Sequence, residues 1–455
     1  MKKILILGGI IIFVLTSIIL KAQKLETKPW EYNLNVELND TVLYVNVNLK
    51  ACKTANWNKD YFLFNRYIKI DKASLNNKPL TYTRSNDTLY FKSPKSEEIN
   101  ISLNYKIPCS LSESSKIIKA HGNNRFAYPA QLDTNQIFCE RYSKYYPVIY
   151  DNFSNYKAKI TVPNSYKVYS EYLETKIKIA ENKHIYTYNF FDEDLRFFIT
   201  KSDIFQSKKA KKNDDTYFEF NFLPKYKRLL SVNNNTPKYT TDINQMDSLY
   251  SVIVNRSAMA MHWYNKNLWK QDIDTLPFVE TGILGLAVNM RSFILFDRSL
   301  MNMEVLDNYA FSHEIGHFWI GYNIQYLSKG FYFLSESLNE YTNLLFYESW
   351  AGKTEFENAI KNKTNMQYSD KEFFTTTFEQ VLNQRNGDLK YELIYNKGVV
   401  FAHELRKMIG KEKFLKIIRD TYNKPDKYIT LTDFENSIKQ NECWQEYLKL
   451  FEMNL

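Results

Sequence analysis

Two histidines four residues apart, His313 and His317, flank Glu314 in the run FSHEIGHFWIG. On an α-helix that spacing sends both imidazoles from one face, one turn above the other. Two neutral imidazoles so placed can grip one Zn²⁺ ion at about 2.0–2.1 Å each. Glu314, beside the first of them, is the residue type that takes a proton from water at such an ion. A catalytic zinc needs a third protein ligand and an open position. Glu336, nineteen positions after His317, is the candidate, and it opens a second helical run, SESLNEYTNLLFYESW. Helix, connection and helix then bring three ligands to one ion, as in a hydrolytic zinc site. HExxH alone recurs by chance, but Phe311, Ile315, Phe318 and Trp319 give the first helix the apolar character of a buried element. Tyr395 follows in IYNKGVVFAHEL, at the start of a further helix.

These segments resemble the gluzincin aminopeptidases of the M1 family, whose pattern is HExxH, eighteen residues, then Glu. The family's HExxHxWxG stands here as HEIGHFWIG, with Trp319 and Gly321 kept. Its WLNEGFAxY stands as FLSESLNEY, with Phe333, Leu334, Glu336 and Tyr341 in the corresponding places. Its YEKG stands as YNKG, which puts Tyr395, Lys397 and Gly398 on the family's catalytic tyrosine segment. The likeness is weak from about residue 30 and strong from about 278 to 420. It implies one Zn²⁺ held by His313, His317 and Glu336, a peptide substrate, Glu314 as general base, and the Tyr395 hydroxyl stabilising the oxyanion. Glu340, one turn after Glu336, either orients a ligand histidine or is a solvated carboxylate on the helix surface.

One departure bears on specificity. The family's GxMEN segment binds the substrate's free amino terminus through its Glu; the matching stretch here is Gly285, Leu286, Ala287, Val288 and Asn289. A valine cannot pair with an ammonium group. Three readings follow. The first is an aminopeptidase in which another acid, such as Glu280 or Glu140, replaces the missing one. The second is a zinc hydrolase or endopeptidase that needs no free amine, and the third is an inactive binding protein on the same fold. Intact His313, Glu314, His317, Glu336 and Tyr395 speak against the third, since a scaffold needs no general base.

Elsewhere the chain supplies the elements that must position these residues. From about Glu31 to Phe205 apolar residues alternate with period two in segments such as YNLNVEL, TVLYVNVNL, INISLNYKI, YKAKITV and HIYTYNFF, separated by Asn, Asp, Pro and Ser turns. That predicts an antiparallel β-sandwich-like N-terminal domain over 24–206. In the family a Gln-x-Glu segment of this domain lines the pocket; Gln131-Leu-Asp133 and Gln136 to Glu140 are the candidates here. A lysine run at Lys208 to Lys212 with acidic neighbours predicts a linker over 207–215, and a thermolysin-like mixed-sheet and helical domain follows over 216–455. The whole is an α+β multidomain protein. Its second part has strands YFEFNF and LPFVET, a helix near 245–263, and FILFD as an edge strand beside the cleft. Helices are expected over Glu355–Asn362, Glu372–Leu382, Lys397–Ile409 and Glu412–Tyr422, with a capping box at Thr432–Glu435 opening a last one. Many family members continue into a further helical domain, so a chain ending at Leu455 is expected to have a more open cleft.

At 455 residues, with 44% hydrophobic and 24% charged, the chain has room for two or three cores of ordinary composition. The net charge of +9 is spread, with no arginine-rich helix or zinc-finger spacing, so nucleic-acid binding is not expected. Lys2 and Lys3 precede the apolar run Ile4 to Leu20, which reads as a signal peptide over 1–23 or an uncleaved membrane anchor through 4–20. Either way the body is exported: periplasmic, secreted or anchored with the catalytic part outside the cytoplasm. The four cysteines, Cys52, Cys109, Cys139 and Cys443, have no CxxC spacing, so they form no zinc cluster, and they leave one or two disulfides open. His121, His184, His262 and His403 have no ligand spacing. Oligomeric state is not set by any of these features.

Overall fold

The computed structural model describes residues 30–453 apart from 53–59, 93–97, 123, 134, 149–153, 172–175, 181, 193, 212–215, 224–227, 234–235, 241–246, 284–286, 298–309, 323, 325–327, 366–375, 385–390 and 425–427. The expected leader or anchor, 1–23, therefore lies outside the described residues. Among those described, no helix is long and apolar enough to cross a membrane.

The N-terminal part is β-sheet because its alternation is nearly strict. In β1 (Trp30–Asn39), Trp30, Tyr32, Leu34, Val36 and Leu38 are buried while the residues between them face outward. β1 pairs antiparallel with β2 (Val42–Cys52), which pairs with β3 (Glu98–Pro108). On its other side β1 pairs in parallel with β6 (Ser154–Pro163), Trp30 opposite Ser154, and β6 pairs with β8 (Lys183–Asp192). Lys176–Ala180 at one end and Lys69–Leu75 with Lys78–Pro79 at the other complete eight strands. One parallel pair thus interrupts an otherwise antiparallel sheet. Shorter sheets pack with it, among them four strands ordered β7 (Tyr166–Ser170), β9 (Phe197–Lys201), β5 (Gln136–Cys139) and β4 (Gln131–Asp133).

The second part is built on five strands in the order β10 (Gln206–Lys211), β11 (Tyr217–Phe222), β12 (Thr275–Thr281), β14 (Ile294–Asp297) and β13 (Ala287–Asn289). Two expectations are corrected here. Residues 207–211, read as linker, pair with β11 as the outer strand of this sheet: Lys208 and Ala210 are half-buried, Ser207 and Lys209 are exposed, and the main chain pairs along Tyr217–Phe222. Residues 212–215 lie outside the described residues. FILFD is internal rather than the edge: β14 is paired on both sides, and the three residues of β13 form the edge instead. The tight connection Met290–Phe293, with Arg291 at φ +55°, folds β13 back onto β14.

Helices cover this sheet. α1 (Asp247–Asn267) packs against α2 (Ala310–Gly316), and α2 against α3 (Leu338–Ala351). α4 (Lys353–Asn365), α5 (Val399–Ile409), α6 (Lys411–Tyr422), α7 (Leu431–Gln440) and α8 (Trp444–Lys449) follow. Of the helix expected over 372–382, Phe378–Leu382 is helical, and 372–375 lie outside the described residues. The capping box sits two residues earlier than Thr432–Glu435. Thr430 takes the extended conformation a cap needs, its hydroxyl accepts from Asp433 N, and Asp433 accepts from Thr430 N. It opens α7, with α8 still to come. Cys109, Cys139 and Cys443 are free thiols.

The two parts are joined by buried amide chemistry. Gln136 on β5 donates to Glu280 O at 3.1 Å and accepts from Thr281 Oγ1 at 3.1 Å and Gly282 N at 2.9 Å. Around this seam Phe138 and Phe198 pack with Val279, Ile283, Met290, Phe293 and Leu295. Gln136→Ala strands main-chain groups of β12 in an apolar seam, at about 1–3 kcal/mol for each unpaired group. The expected result is a fall of about 3 kcal/mol in urea-unfolding stability. A fall below about 0.5 kcal/mol would mean that water takes over these bonds.

Candidate active site

Helix α2 carries the first histidine because it can lie flat against its neighbours. A Cβ on Gly316 would collide with Asn339 and stand 2.5 Å from the Tyr264 hydroxyl, so only glycine permits this approach. Trp319, just beyond the helix, stacks on Tyr264 at 4.9 Å and donates to Trp269 O at 2.6 Å. Gly321 at φ +122° lets the chain turn beneath His317, where a Cβ would stand 2.5 Å from Nδ1. Asn339 of α3 donates to His313 O at 2.9 Å, tying the two helices at the site.

Glu336 and Tyr395 both sit on wide π-helical turns, Phe333–Ser337 and Leu393–Gly398, which run into α3 and α5. Such turns are concentrated at functional sites because they re-aim a side chain without ending the helix. The two turns are pinned together: Ser337 Oγ donates to Ile394 O at 2.7 Å, and Gly398 is so close to Ser337 that a Cβ would overlap its hydroxyl. The helical run is already present at Tyr391, ahead of the expected start at Lys397, so Tyr395 lies within its helix rather than at the beginning.

The three expected ligands converge. His313 Nε2 lies 3.4 Å and His317 Nε2 3.5 Å from the same oxygen, Glu336 Oε2. All three donor atoms are within 4.8 Å of one another, the one such group of three or more found among the described residues. The outer nitrogens are held away from the centre: His313 Nδ1 donates to Glu340 at 2.8 Å and His317 Nδ1 to Ile320 O at 3.0 Å. Both rings are thereby oriented with Nε2 facing inward, the nitrogen that a metal ion would take once its proton is displaced. Glu340 is fixed in turn by Lys363 at 2.7 Å. Burial opposes a charge on His313, but hydrogen bonds to Glu336 and Glu340 outweigh it and raise the group to about 10. Glu336 is held well below the usual carboxylate range: burial would raise it, and His317 and His313 overcome that. A nest of carboxylates holding charge on a buried imidazole is a place that favours a cation, and the donor set of two nitrogens and one oxygen suits Zn²⁺.

Glu314 points to the same space. Burial raises its carboxyl above the usual range against the pull of His313 and His317, as suits a group that must accept and return a proton. Asn289 on β13 aims it: Asn289 N donates to Glu314 Oε2 at 2.8 Å, and Asn289 Nδ2 to Glu314 O at 2.6 Å. The Tyr395 hydroxyl donates to Glu336 Oε2 at 2.8 Å, and burial followed by Glu336 keeps it protonated.

Of the GLAVN stretch, Ala287, Val288 and Asn289 line the cleft, and Gly285 and Leu286 lie outside the described residues. Neither acid suggested to replace the missing glutamate is among the cleft-lining residues: Glu280 accepts from Leu223 N and Glu140 from Gln131, both buried. Gln136 is spent on the seam between the two parts, and Asp133 lies against Gly282. His403 bonds Tyr341, and His121 bonds Tyr67, away from the ligand group. Sequence reading missed Tyr322, which donates to Asn289 Oδ1, and Arg141, Glu171, Asp194, Arg196 and Arg291, which line the same cleft of about 230 Å³. No spacing connects them; strands from both parts bring them together.

A helix-borne His-Glu-His and a following glutamate, on a five-stranded mixed sheet behind a β-rich part, define a metallopeptidase-like architecture. Residues 273–453 match the model of the Peptidase family M1 domain. The fold matches a mutant M1 zinc metallopeptidase from Deinococcus radiodurans bound to a Tyr-Ser-Ala substrate, at 13% identity and a TM-score of 0.60, over 94% of this chain and 95% of that one. Aminopeptidase A from Legionella pneumophila in complex with aspartic acid matches at 14% identity and a TM-score of 0.63, over 94% of this chain and 50% of that one. Identities this low establish a shared fold. A search of curated proteins gave no match.

Glu340→Ala frees His313 to rotate and leaves Lys363 without its carboxylate. Zinc affinity, measured by competition with a chelating dye, is expected to fall about 10–100-fold. A change under twofold would remove Glu340 from the support of the site.

Proposed function

We propose that the protein is an exported zinc metallopeptidase that hydrolyses peptide bonds without requiring a free amino terminus. The observation that carries it is the convergence of His313, His317 and Glu336 on one point, with Glu314 held beside them by Asn289. Zinc bound there would supply Lewis acidity toward a peptide carbonyl and a water of lowered pKa. Glu314 takes the proton of the attacking water and returns it to the departing amine, shuttling between two states that its burial brings closer in energy. The Tyr395 hydroxyl, a donor on the rim of the ligand group, turns from Glu336 toward the carbonyl oxygen as charge develops on it. Asn289 keeps the Glu314 carboxylate from swinging away between turnovers. Val288 presents a methyl wall where an ammonium anchor would be needed, and it packs on the Phe138 and Phe198 cluster. The apolar leader at Ile4 to Leu20 supports action outside the cytoplasm.

The test is digestion of a mixed peptide library followed by mass spectrometry, with free and N-acetylated versions of each peptide. Chelator should abolish cleavage and zinc restore it. Glu314→Gln should retain zinc and lose about 10²–10⁴-fold in kcat, and Tyr395→Phe about 10²–10³-fold. Acetylated and free peptides should be cut within about threefold of each other. A strict need for a free amine would return the protein to the aminopeptidases, with Glu171 or Asp194 of the cleft as amine acceptor. A zinc-loaded protein that cuts nothing would sink the peptidase reading.

A further inference from the structure

Among the described residues, the cleft beside the ligand group is lined by three arginines, Arg141, Arg196 and Arg291, and away from Glu314 and Glu336 by two acids, Glu171 and Asp194. The layering of these charges decides what the cleft can hold. Glu171 pairs with Arg196, yet the Glu171 side chain is 3% exposed and that of Arg196 23%. Asp194, 4.0 Å from Arg196, is 11% exposed; it also accepts from Arg141 N at 3.2 Å and from Tyr146 at 3.0 Å. The acids therefore lie behind, spent on protein groups, and guanidinium edges reach the space. Arg291 comes from the second part of the chain, on the turn beyond β13, its guanidinium 4.7 Å over the Tyr322 ring. Its main-chain N donates to the Tyr322 hydroxyl at 2.7 Å, and that hydroxyl donates to Asn289, the residue that holds Glu314. Arg291 N also donates directly to Asn289 Oδ1 at 2.8 Å, so Arg291 is two linked contacts from the general base. Arg196 also acts on that hydroxyl: burial keeps Tyr322 protonated, and Arg291 and Arg196 both pull against it. Two cations from separate parts of the chain line one cleft, and Val288, which lines it too, offers no counter-charge.

We infer that Arg196 and Arg291 form a carboxylate-binding subsite, so that the preferred peptide carries an anionic group close to the scissile bond. The carboxylate is either an acidic side chain or the chain's own C-terminus; both present two oxygens to a guanidinium fork. The subsite deepens the peptidase reading and rests on it for the word substrate, but its binding can be measured apart from turnover. A free ammonium in the same place would meet two cations across a partly desolvated cleft, which ties the subsite to the loss of the acid at Val288.

Binding is read by calorimetry on zinc-loaded Glu314→Gln protein. The probes are Ac-Ala-Ala-Glu-Ala-Ala-NH₂ against its Gln counterpart, and Ac-Ala-Ala-Ala with a free against an amidated C-terminus. At least one carboxylate probe should bind about 10–100-fold tighter than its neutral twin, and which pair shows the preference names the source. Adding Arg291→Gln should reduce the preference to about twofold or less while the neutral twin binds as before. Arg291 is the residue to change, since removing Arg196 strands the buried Glu171; thermal melting confirms the fold of the variant. Equal binding of charged and neutral twins, or a preference that survives Arg291→Gln, overturns the subsite. A preference in a protein that cuts no peptide keeps the subsite and sinks the peptidase, whereas cleavage without a preference does the reverse.

Discussion

The hydrogen bond from His313 Nδ1 to Glu340 decides which nitrogen of that ring is left to face Glu336, and its counterpart from His317 to Ile320 O does the same one turn later. An imidazole carries one proton when neutral, so pinning it on the outer nitrogen makes the inner one a lone pair. Everything around the site serves that arrangement. Lys363 keeps Glu340 charged and in place, Asn339 holds the backbone of His313, and Gly321 clears the space beside His317. Buried acids and imidazoles are costly to keep, and they persist here because each outward-facing polar atom has a partner.

The same logic extends to the elements. Glu336 and Tyr395 arrive from helices far apart in sequence, yet their hydroxyl–carboxylate bond is 2.8 Å. A regular helix would aim one of them elsewhere. Two adjacent π turns, locked by Ser337 and by the bare Cα of Gly398, provide the extra rotation. Gly398 and Ser337 thus set the aim of two side chains that meet at the ligand group.

Much of this was legible in the chain. Four-residue spacing of the histidines, the later glutamate and Tyr395 are local patterns, and strict alternation from Trp30 onward is what a half-buried strand must show. What could not be read depends on contacts between distant segments. The lysine run looked like a linker because its charges are solvated, but charge on an outer strand is compatible with pairing on its other edge. FILFD looked like an edge because nothing in its own letters says that Ala287–Asn289 folds back along it. Two overlapping Thr-x-x-acid patterns stand at 430–435, and only tertiary packing selects the first. Arg196, Glu171 and Asp194 reach the cleft from the N-terminal strands and have no motif at all.

The parallel pairing of β1 with β6 constrains how the protein comes into being. Trp30 waits for Ser154, so the hairpin made by the first two strands emerges with one long apolar-lined edge unmatched. At about 5–20 residues per second, ribosomal synthesis needs roughly 6–25 seconds to deliver the partner strand. During that interval the hairpin is a template for any other extended chain. Pairing across so long a separation also favours slow folding. The first hairpin therefore stays exposed on one edge until its middle strand arrives to close the sheet from within.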